Sequence, residues 1–155
     1  MFIKLSEFKT LMVYPTDNAT NLPWGPLART GATNPFEGFY NTEQTLKVPY
    51  VNPVGLQMQY ETEGQTACKV CAELVALGYD DWYLPASEEL RAMIADSTLS
   101  LRKYYWSSTE TTPGRALNST DVTPRTGVKV IVKIQNEKYY GLAVRCVRDS
   151  MPSRD

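Results

Sequence analysis

Two segments near the C-terminal end alternate apolar and polar residues, with the period of two that is typical of a β-strand with one buried face. Every even-numbered residue of 128–134 is Val or Ile, and the even-numbered residues of 140–146 are also apolar. Asn136 and Glu137 lie between the segments, where a turn fits. The sequence therefore predicts an antiparallel hairpin that closes the C-terminal half and needs a partner layer to bury its apolar face.

A helix is predicted over residues 65–77, where apolar residues recur at helical spacing. The apolar face consists of Ala67, Val70, Cys71 and Leu74. Thr62 and Gln65 have the spacing of a capping box, and Gly78 fits the position just after the last helical turn. We expect this helix to pack its apolar face against the C-terminal hairpin.

A second helix is predicted after the connector 79–85, with Ser87 as its N-cap. Glu88 and Glu89 fall in its first turn, where negative charge is favourable at the positive end of the helix dipole. The predicted buried face consists of Leu90, Met93 and Ile94.

The first 60 residues hold 8 of the 33 charged side chains but 6 of the 10 prolines. Because proline fixes φ and keeps the preceding residue out of a helix, this region is predicted to form ordered loops and short strands. Residues 2–14 are predicted as a strand, with a short helix as the alternative. Low charge and frequent aromatic residues suit burial against a neighbouring subunit. We therefore predict that residues 1–35 are an anchoring or assembly segment.

Residues 104–109 are predicted as a shorter strand, and the polar stretch 110–127 that follows is predicted as a long loop. Such long connections in a compact domain are usually functional or mobile. Ligand contacts are therefore expected in this loop. The candidate residues are Arg115, Asn118, Asp121 and Arg125. The order of the elements indicates an α+β fold, with two helices packed on short antiparallel strands.

The charge balance and the absence of histidine exclude several classes of function. The 155-residue chain has 16 basic and 17 acidic side chains, a net charge of −1 and no histidine. Without clustered basic residues, neither nucleic acid nor an anionic membrane surface is an expected partner. Lack of histidine removes the usual general base of nucleophilic catalysis and the commonest metal ligand. No apolar run reaches the length of a signal peptide or a membrane span, so the chain is expected to be made in the cytoplasm without membrane insertion.

The three cysteines leave several possibilities open. Cys68 and Cys71 form a C-x-x-C motif, but both lie inside the predicted helix, whereas redox motifs normally begin one. A zinc site would need two further ligands, for which only Cys146 and carboxylates remain. One or more of the cysteines can simply pack in the core. A further option is a disulfide between Cys71 and Cys146, with Cys68 as the free thiol.

Three segments together carry a resemblance to a known family: residues 71–85, which include Asp81-Trp-Tyr-Leu-Pro85, then 105–110 (Tyr-Trp-Ser-Ser-Thr-Glu), and 144–148 (Val-Arg-Cys-Val-Arg). This combination resembles the C-terminal domain of Legionella collagen-like proteins and its bacterial and phage relatives. Residues 38–42 also look like a segment that precedes the first helix in that family. Tyr83 departs from the pattern, because relatives often carry arginine there.

The resemblance implies a C-type-lectin-like domain over residues 36–150, with Cys71 and Cys146 as its disulfide. It also places Trp82 and Trp106 in structural elements, so we expect both to be core residues and not sugar-stacking surfaces. The calcium-binding tripeptides of animal C-type lectins (E-P-N, Q-P-D and W-N-D) do not occur in the sequence. No metal site, cofactor or catalytic residue is therefore predicted.

The function expected from this resemblance is non-catalytic recognition on a virion or cell surface, as in a phage fibre, a capsid-decorating protein or an adhesin. The expected partners are protein subunits of a larger assembly, including further copies of the chain, and a surface glycan or host receptor. Two alternatives are kept: an enzyme related to formylglycine-generating oxidases, which share the broader fold, and a cytosolic protein-binding scaffold. Fold alone does not decide between them.

Overall fold

The computed structural model describes residues 1–52 and 59–150. These residues form three helices and eight strands, in a mixed α+β arrangement. The helices are α1 (Gly38–Leu46), α2 (Ala67–Ala72) and α3 (Ser87–Ala95). The strands are β1 (Phe2–Ser6), β2 (Lys9–Val13), β3 (Ala19–Leu22), β4 (Tyr105–Thr112), β5 (Arg115–Asp121), β6 (Ile131–Glu137), β7 (Leu142–Val144) and β8 (Val147–Asp149). None of these helices is long and apolar enough to cross a membrane.

Two sheets bring distant parts of the chain together. A three-stranded sheet has the order β1-β2-β8, so the first strands pair with the last, and Leu11 lies opposite Asp149. A five-stranded sheet has the order β3-β7-β4-β5-β6, in which only β4 and β7 are parallel. Residues 2–14 are thus two strands joined by a turn, which agrees with the prediction of a strand there.

The predicted hairpin over residues 128–146 is wrong, although both of its strands exist. β6 pairs with β5 over seven residues, from Arg115 opposite Glu137 to Asp121 opposite Ile131. β7 is instead placed between β3 and β4. An alternating pattern identifies a strand but not its neighbour. In its observed position β7 can form backbone hydrogen bonds with a strand on each side, β3 and β4.

The predicted long loop over residues 110–127 is also wrong. β4 continues to Thr112, a turn follows, and β5 occupies Arg115–Asp121. The stretch looked like a loop because it is polar, yet Asn118, Ser119 and Thr120 are buried in the sheet. The Thr120 hydroxyl, for example, donates to the Lys103 carbonyl at 2.8 Å, so its burial leaves no unpaired donor.

The helices begin and end differently from the sequence prediction. α2 is shorter than the predicted 65–77, with Thr66 as its N-cap accepting from the Lys69 N–H, and Leu77 and Gly78 both take positive φ after it. Its nearest elements are α1 and β3, and its buried Ala67 and Cys71 also share a core cluster with Val144 of β7 and with Cys146, to which Cys71 is bonded. α3 matches the predicted second helix, but its N-cap is Ala86.

Helix α1 was not predicted, and it replaces the loop expected before the first helix. The Asn34 side chain accepts hydrogen bonds from the backbone N–H groups of Phe36 and Glu37 just ahead of it. This is the local turn chemistry that introduces a helix. Because the inward side of α1 carries polar residues such as Asn41, Thr42 and Thr45, it lacks the apolar period by which a helix is recognised in sequence.

Two buried clusters form the core. One contains the disulfide together with Trp24, Trp82 and Trp106, and the other lies under α3, between it and the β1-β2-β8 sheet. Trp82 and Trp106 are 2% and 0% exposed, as expected for core residues. Residues 1–35 supply β1, β2, β3 and Trp24 to these same sheets and clusters. Their packing is therefore continuous with that of the rest of the domain, while a role in assembly stays a prediction.

Candidate functional site

The four candidate ligand residues of the expected loop do not converge on one site. Arg115 and Asp121 lie at opposite ends of β5, where Arg115 pairs with Glu137 at 2.7 Å and Asp121 with Lys129 at 2.9 Å. Asn118 is fully buried and donates to the Asn136 side-chain oxygen at 2.6 Å. Arg125 is exposed in the turn beyond β5. The strand thus spreads these side chains along its length.

The cysteines form the expected pair. Cys71 and Cys146 are bonded, with Cα atoms 5.4 Å apart, inside the 7 Å expected of neighbours. Cys68 is a free, buried thiol, and burial raises its pKa to about 12. A thiol with so high a pKa is a poor nucleophile and metal ligand. Cys68 and Cys71 are therefore not available together as a reactive pair.

The connector 79–85 before α3 is linked to strand β8 by the side chain of Arg148. Arg148 donates two hydrogen bonds to Asp81, at 2.6 and 3.0 Å, and its guanidinium lies 3.6 Å from the ring centroid of Tyr79. The hydrogen bonds from Arg148 hold the pKa of Asp81 below its ordinary value. This ion pair fixes Asp81 at the surface.

Glu89 is the centre of a second polar group. Its buried carboxylate accepts hydrogen bonds from the backbone N–H groups of Gly38 and Ala86, both at 2.9 Å, and from the Tyr83 hydroxyl at 2.8 Å. The Lys9 ammonium also pairs with this carboxylate, with Nζ 2.8 Å from Oε2. Helix α3 is thereby attached to α1, to the connector and to β2.

An open cavity of about 320 Å³ lies beside this group, between α1, the connector and the β2-β8 pair. Its lining residues are Lys9, Glu37, Phe39, Asp81, Tyr83 and Asp149. The Phe39 ring, in the first turn of α1, packs edge-on against Tyr83 with centroids 5.9 Å apart. Phe39 is nevertheless 45% exposed. The cavity therefore combines carboxylates, one lysine and an accessible aromatic wall.

The Lys9 ammonium and the Tyr83 hydroxyl of this cavity hold their protons more tightly than usual. Burial alone would lower the pKa of Lys9, but the charges and hydrogen bonds of Glu89 and Glu37 outweigh it, and the pKa is raised. Burial, followed by the negative charge of Glu89, also raises the pKa of Tyr83. Neither group is tuned to exchange a proton near neutral pH. These two groups are suited to fixed electrostatic contacts.

Glu110 forms a separate, sealed group on β4. Its carboxylate pairs with Lys138 at 2.7 Å, both side chains being 0% exposed, and it accepts from the backbone N–H groups of Thr30 and Gly31. Lys138 also donates to the Ala28 carbonyl and lies 4.3 Å from the ring centroid of Trp24. This group fixes the N-terminal loop 24–32 onto the five-stranded sheet.

A second cavity, of about 480 Å³, lies where α1 and its following loop meet α2. Its walls include Leu46, Tyr50, Thr66 and Lys69. The Tyr50 hydroxyl has no hydrogen-bond partner among residues 1–52 and 59–150. Burial and then the nearby Tyr60 raise its pKa to about 12. Part of its lining, Val48 to Tyr50, comes shortly before residues 53–58 in the sequence, which are outside the described residues. The first cavity is therefore the better defined site.

In the described part of the chain, no group of three or more His, Cys, Asp or Glu side chains is placed to hold a metal ion. Sequence reasoning assigned Glu89 only to the helix dipole and did not single out Lys9, Glu37 or Phe39. Glu37 and Phe39 are neighbours at the start of α1, but no local spacing could have joined them to Lys9 of β2 or to Glu89 of α3, because these segments are distant in sequence. Comparisons with protein-family models, curated proteins and solved structures gave no match to this chain.

Proposed function

We propose that the protein is a non-catalytic recognition and structural module with a C-type-lectin-like fold, carried on a virion or cell surface within a larger homo-oligomeric assembly. The observation that carries the proposal is the open cavity between α1 and the β2-β8 pair, where Lys9 and Asp81 are held by ion pairs to Glu89 and Arg148. A concave surface whose side chains are already fixed loses little conformational entropy when a partner binds.

The lectin-like part of the proposal is supported by how the three family-like segments pack. The implied disulfide is present between Cys71 and Cys146. Val147 of the third segment pairs with Tyr83 of the first. Trp106 of the second segment shares a core cluster with Trp82 of the first. The segments that suggested the family in sequence are thus contiguous in space.

The assembly part is supported by aromatic residues at the N-terminal hairpin. Phe2 on β1 and Phe8 in the β1–β2 turn are 60% and 69% exposed. Covering exposed apolar area gains about 25 cal/mol per Å² when a partner binds. They give residues 1–35 a surface for contact with a neighbouring subunit, while the cavity is the surface proposed for the external partner that the module recognises.

The test measures assembly and location. We expect size-exclusion chromatography with light scattering to give an oligomer, and purified particles or surface fractions to contain the protein. A Phe2→Ser/Phe8→Ser double variant should shift the oligomer toward monomer, whereas Tyr140→Ser, at a residue 40% exposed and outside the N-terminal hairpin, should not. A wild-type monomer that is absent from particles and surfaces would overturn the proposal.

A further inference from the structure

The cavity beside Glu89 combines features that suit a particular ligand chemistry. Its volume of about 320 Å³ is at the lower end of the range of small-molecule sites, about 300 to 1,000 Å³. Its lining includes Phe39, which is 45% exposed, and the carboxylates of Glu37, Asp81 and Asp149. A bare metal ion gains little from a phenyl wall, and a neutral sugar can hydrogen-bond to carboxylates but does not balance their negative charge, whereas an organic cation both packs on the ring and balances the charge.

The charge balance around the cavity is negative. Three of its carboxylates, Glu37, Asp81 and, behind Tyr83, Glu89, face the cations Lys9 and Arg148. Formally these five groups carry one negative charge more than positive ones. Lys9 lies closer to Glu89, at 2.8 Å, than to Glu37, at 3.4 Å, and the Glu37 side chain is 57% exposed. The Glu37 carboxylate is thus accessible to a further cation.

The molecule already holds two of its own cations with this combination of groups. The Arg148 guanidinium lies over Tyr79 and pairs with Asp81. The Lys138 ammonium lies over Trp24 and pairs with Glu110. In the cavity an aromatic ring and a carboxylate, Phe39 and Glu37, are presented to the outside, two residues apart at the start of α1.

We infer that this cavity is a binding site for an organic cation, an alkylammonium or guanidinium group that packs on Phe39 and pairs with Glu37. The same group is offered by a free small amine and by a lysine or arginine side chain of another protein. The inference deepens the proposed recognition function and rests on it, because it names the ligand class of the proposed site.

The test uses the full chain and simple probes: n-butylguanidinium, n-butylammonium, the neutral n-butanol and calcium chloride. Binding is followed by NMR shifts of the Phe39 and Tyr83 backbone amides. We expect saturable shifts with both organic cations that weaken as salt rises, because exposed charges are screened. No saturable shift with either cation would overturn the inference, as would equal shifts with n-butanol or tighter binding of calcium at these amides.

Matched variants on α1 locate the contact. Phe39→Ala should weaken n-butylguanidinium about two- to fivefold, the range of an exposed cation–π contact, and Glu37→Gln should weaken it about threefold and reduce the salt dependence. The control variants Tyr40→Ala and Glu43→Gln alter exposed residues of the same helix that do not line the cavity, so binding should not change. Thermal melting checks that each variant is folded. Affinity unchanged in both cavity variants would overturn the assignment.

A peptide experiment distinguishes the two sources of the cation. The affinity of acetyl-Ala-Ala-Arg-Ala-Ala-amide is compared with that of n-butylguanidinium, and the same peptide with citrulline, which is uncharged, is the control. Binding of the arginine peptide at least about tenfold tighter than n-butylguanidinium identifies a protein side chain as the ligand, since flanking residues then add contacts. Comparable affinities identify a free small cation, and both results support the site. Because these measurements use the isolated chain, their failure is separate from a failure to find the protein in assemblies.

Discussion

The two buried glutamates, Glu89 and Glu110, hold the fold together by the same means but in different surroundings. Each carboxylate accepts two backbone N–H groups from distant or neighbouring segments and pairs with one lysine. Lys138, the partner of Glu110, is fully buried, whereas the Lys9 side chain is 18% exposed and lines an open cavity. The Glu110 group is therefore closed to solvent, and the Glu89 group has one open side.

The comparison shows that a buried glutamate–lysine pair can have two roles, one in holding the fold together and one in forming the wall of a binding site. Burying a charged pair gains little net stability, but removing one partner leaves the other charge buried and unpaired, at high cost. The cost is greatest where no other group or water can approach, as at Glu110. At Glu89 the Tyr83 hydroxyl donates as well, and solvent reaches Lys9. We expect the open group to tolerate change, which suits a wall of a binding site.

The largest expected effect comes from Lys138→Met. It leaves the Glu110 carboxylate buried without its cation, so the free energy of unfolding should fall by about 3 to 5 kcal/mol. Urea denaturation at neutral pH measures it. The control is Lys133→Met, at a partly exposed pair with Glu88, which should cost less than about 1 kcal/mol. If Lys138→Met lowered the free energy of unfolding no more than Lys133→Met does, the conclusion that the Glu110 group is closed to solvent would be wrong.

Gly38→Ala tests whether the Glu89 group depends on close backbone approach. A Cβ atom there would lie 2.5 Å from a Glu89 carboxylate oxygen and 2.6 Å from the Leu84 carbonyl oxygen. We expect a loss of about 2 kcal/mol in the free energy of unfolding, although alanine normally favours a helix over glycine. Gly114→Ala, where no atom lies within 4 Å, is the control. A stabilised Gly38→Ala variant would contradict this contact.

Lys9→Met should be milder than Lys138→Met. Glu89 keeps three hydrogen-bond donors, so we expect a loss of about 1 to 2 kcal/mol, the range for one hydrogen bond to a charged group. The same denaturation experiment measures both variants side by side. Equal losses for the two lysines would show that exposure of Lys9 to the cavity makes no energetic difference.

The smallest effects concern pH, and the two groups should respond at opposite ends of the scale. Burial opposes ionisation of Glu110, but Lys138 and the two backbone N–H groups lower its pKa from the ordinary 4.5, so its contribution is present above pH 4.5 and lost as pH falls through the folded-state pKa. The pKa of Lys9 is raised from the ordinary 10.5, so its contribution is present below pH 10.5 and lost as pH rises through the folded-state pKa.

These pH effects are measured as differences in the free energy of unfolding between wild type and variant. The difference for Glu110→Gln should shrink in acid, and that for Lys9→Met should shrink in alkali. Differences that stay constant across the pH range would contradict the assigned directions of the two pKa shifts.

The sequence predicted strands and helices where apolar periodicity was strong, and failed where polar residues are buried. Helix α3 and the strand character of β6 and β7 came from local patterns, whereas the core positions of Trp82 and Trp106 were implied by the resemblance. Strand β5 was missed because its buried residues are Asn, Ser and Thr, which are common in loops. Helix α1 was missed for the same reason.

The candidate site was harder to predict than the fold, because its residues come from segments far apart in sequence. Lys9 and Asp149 are brought together by the pairing of β2 with β8, which no local pattern encodes. Glu89 already had a sufficient local explanation at the start of a helix, and nothing marked it as the buried centre of a larger group. A single sequence identifies strands more readily than the partners they choose.

The disulfide also determines how the domain would respond to mechanical force. Its two cysteines are 75 positions apart, so a pull on the chain ends passes through the sulfur bridge and does not extend the residues between them. At 3.3 to 3.6 Å per extended residue, about 250 Å of chain is kept out of the load path. Strand β8 can peel from β2 under tension while α3 and the central strands stay enclosed in the covalent loop. Reduction of the Cys71–Cys146 disulfide would allow the residues between the two cysteines to extend under the same force.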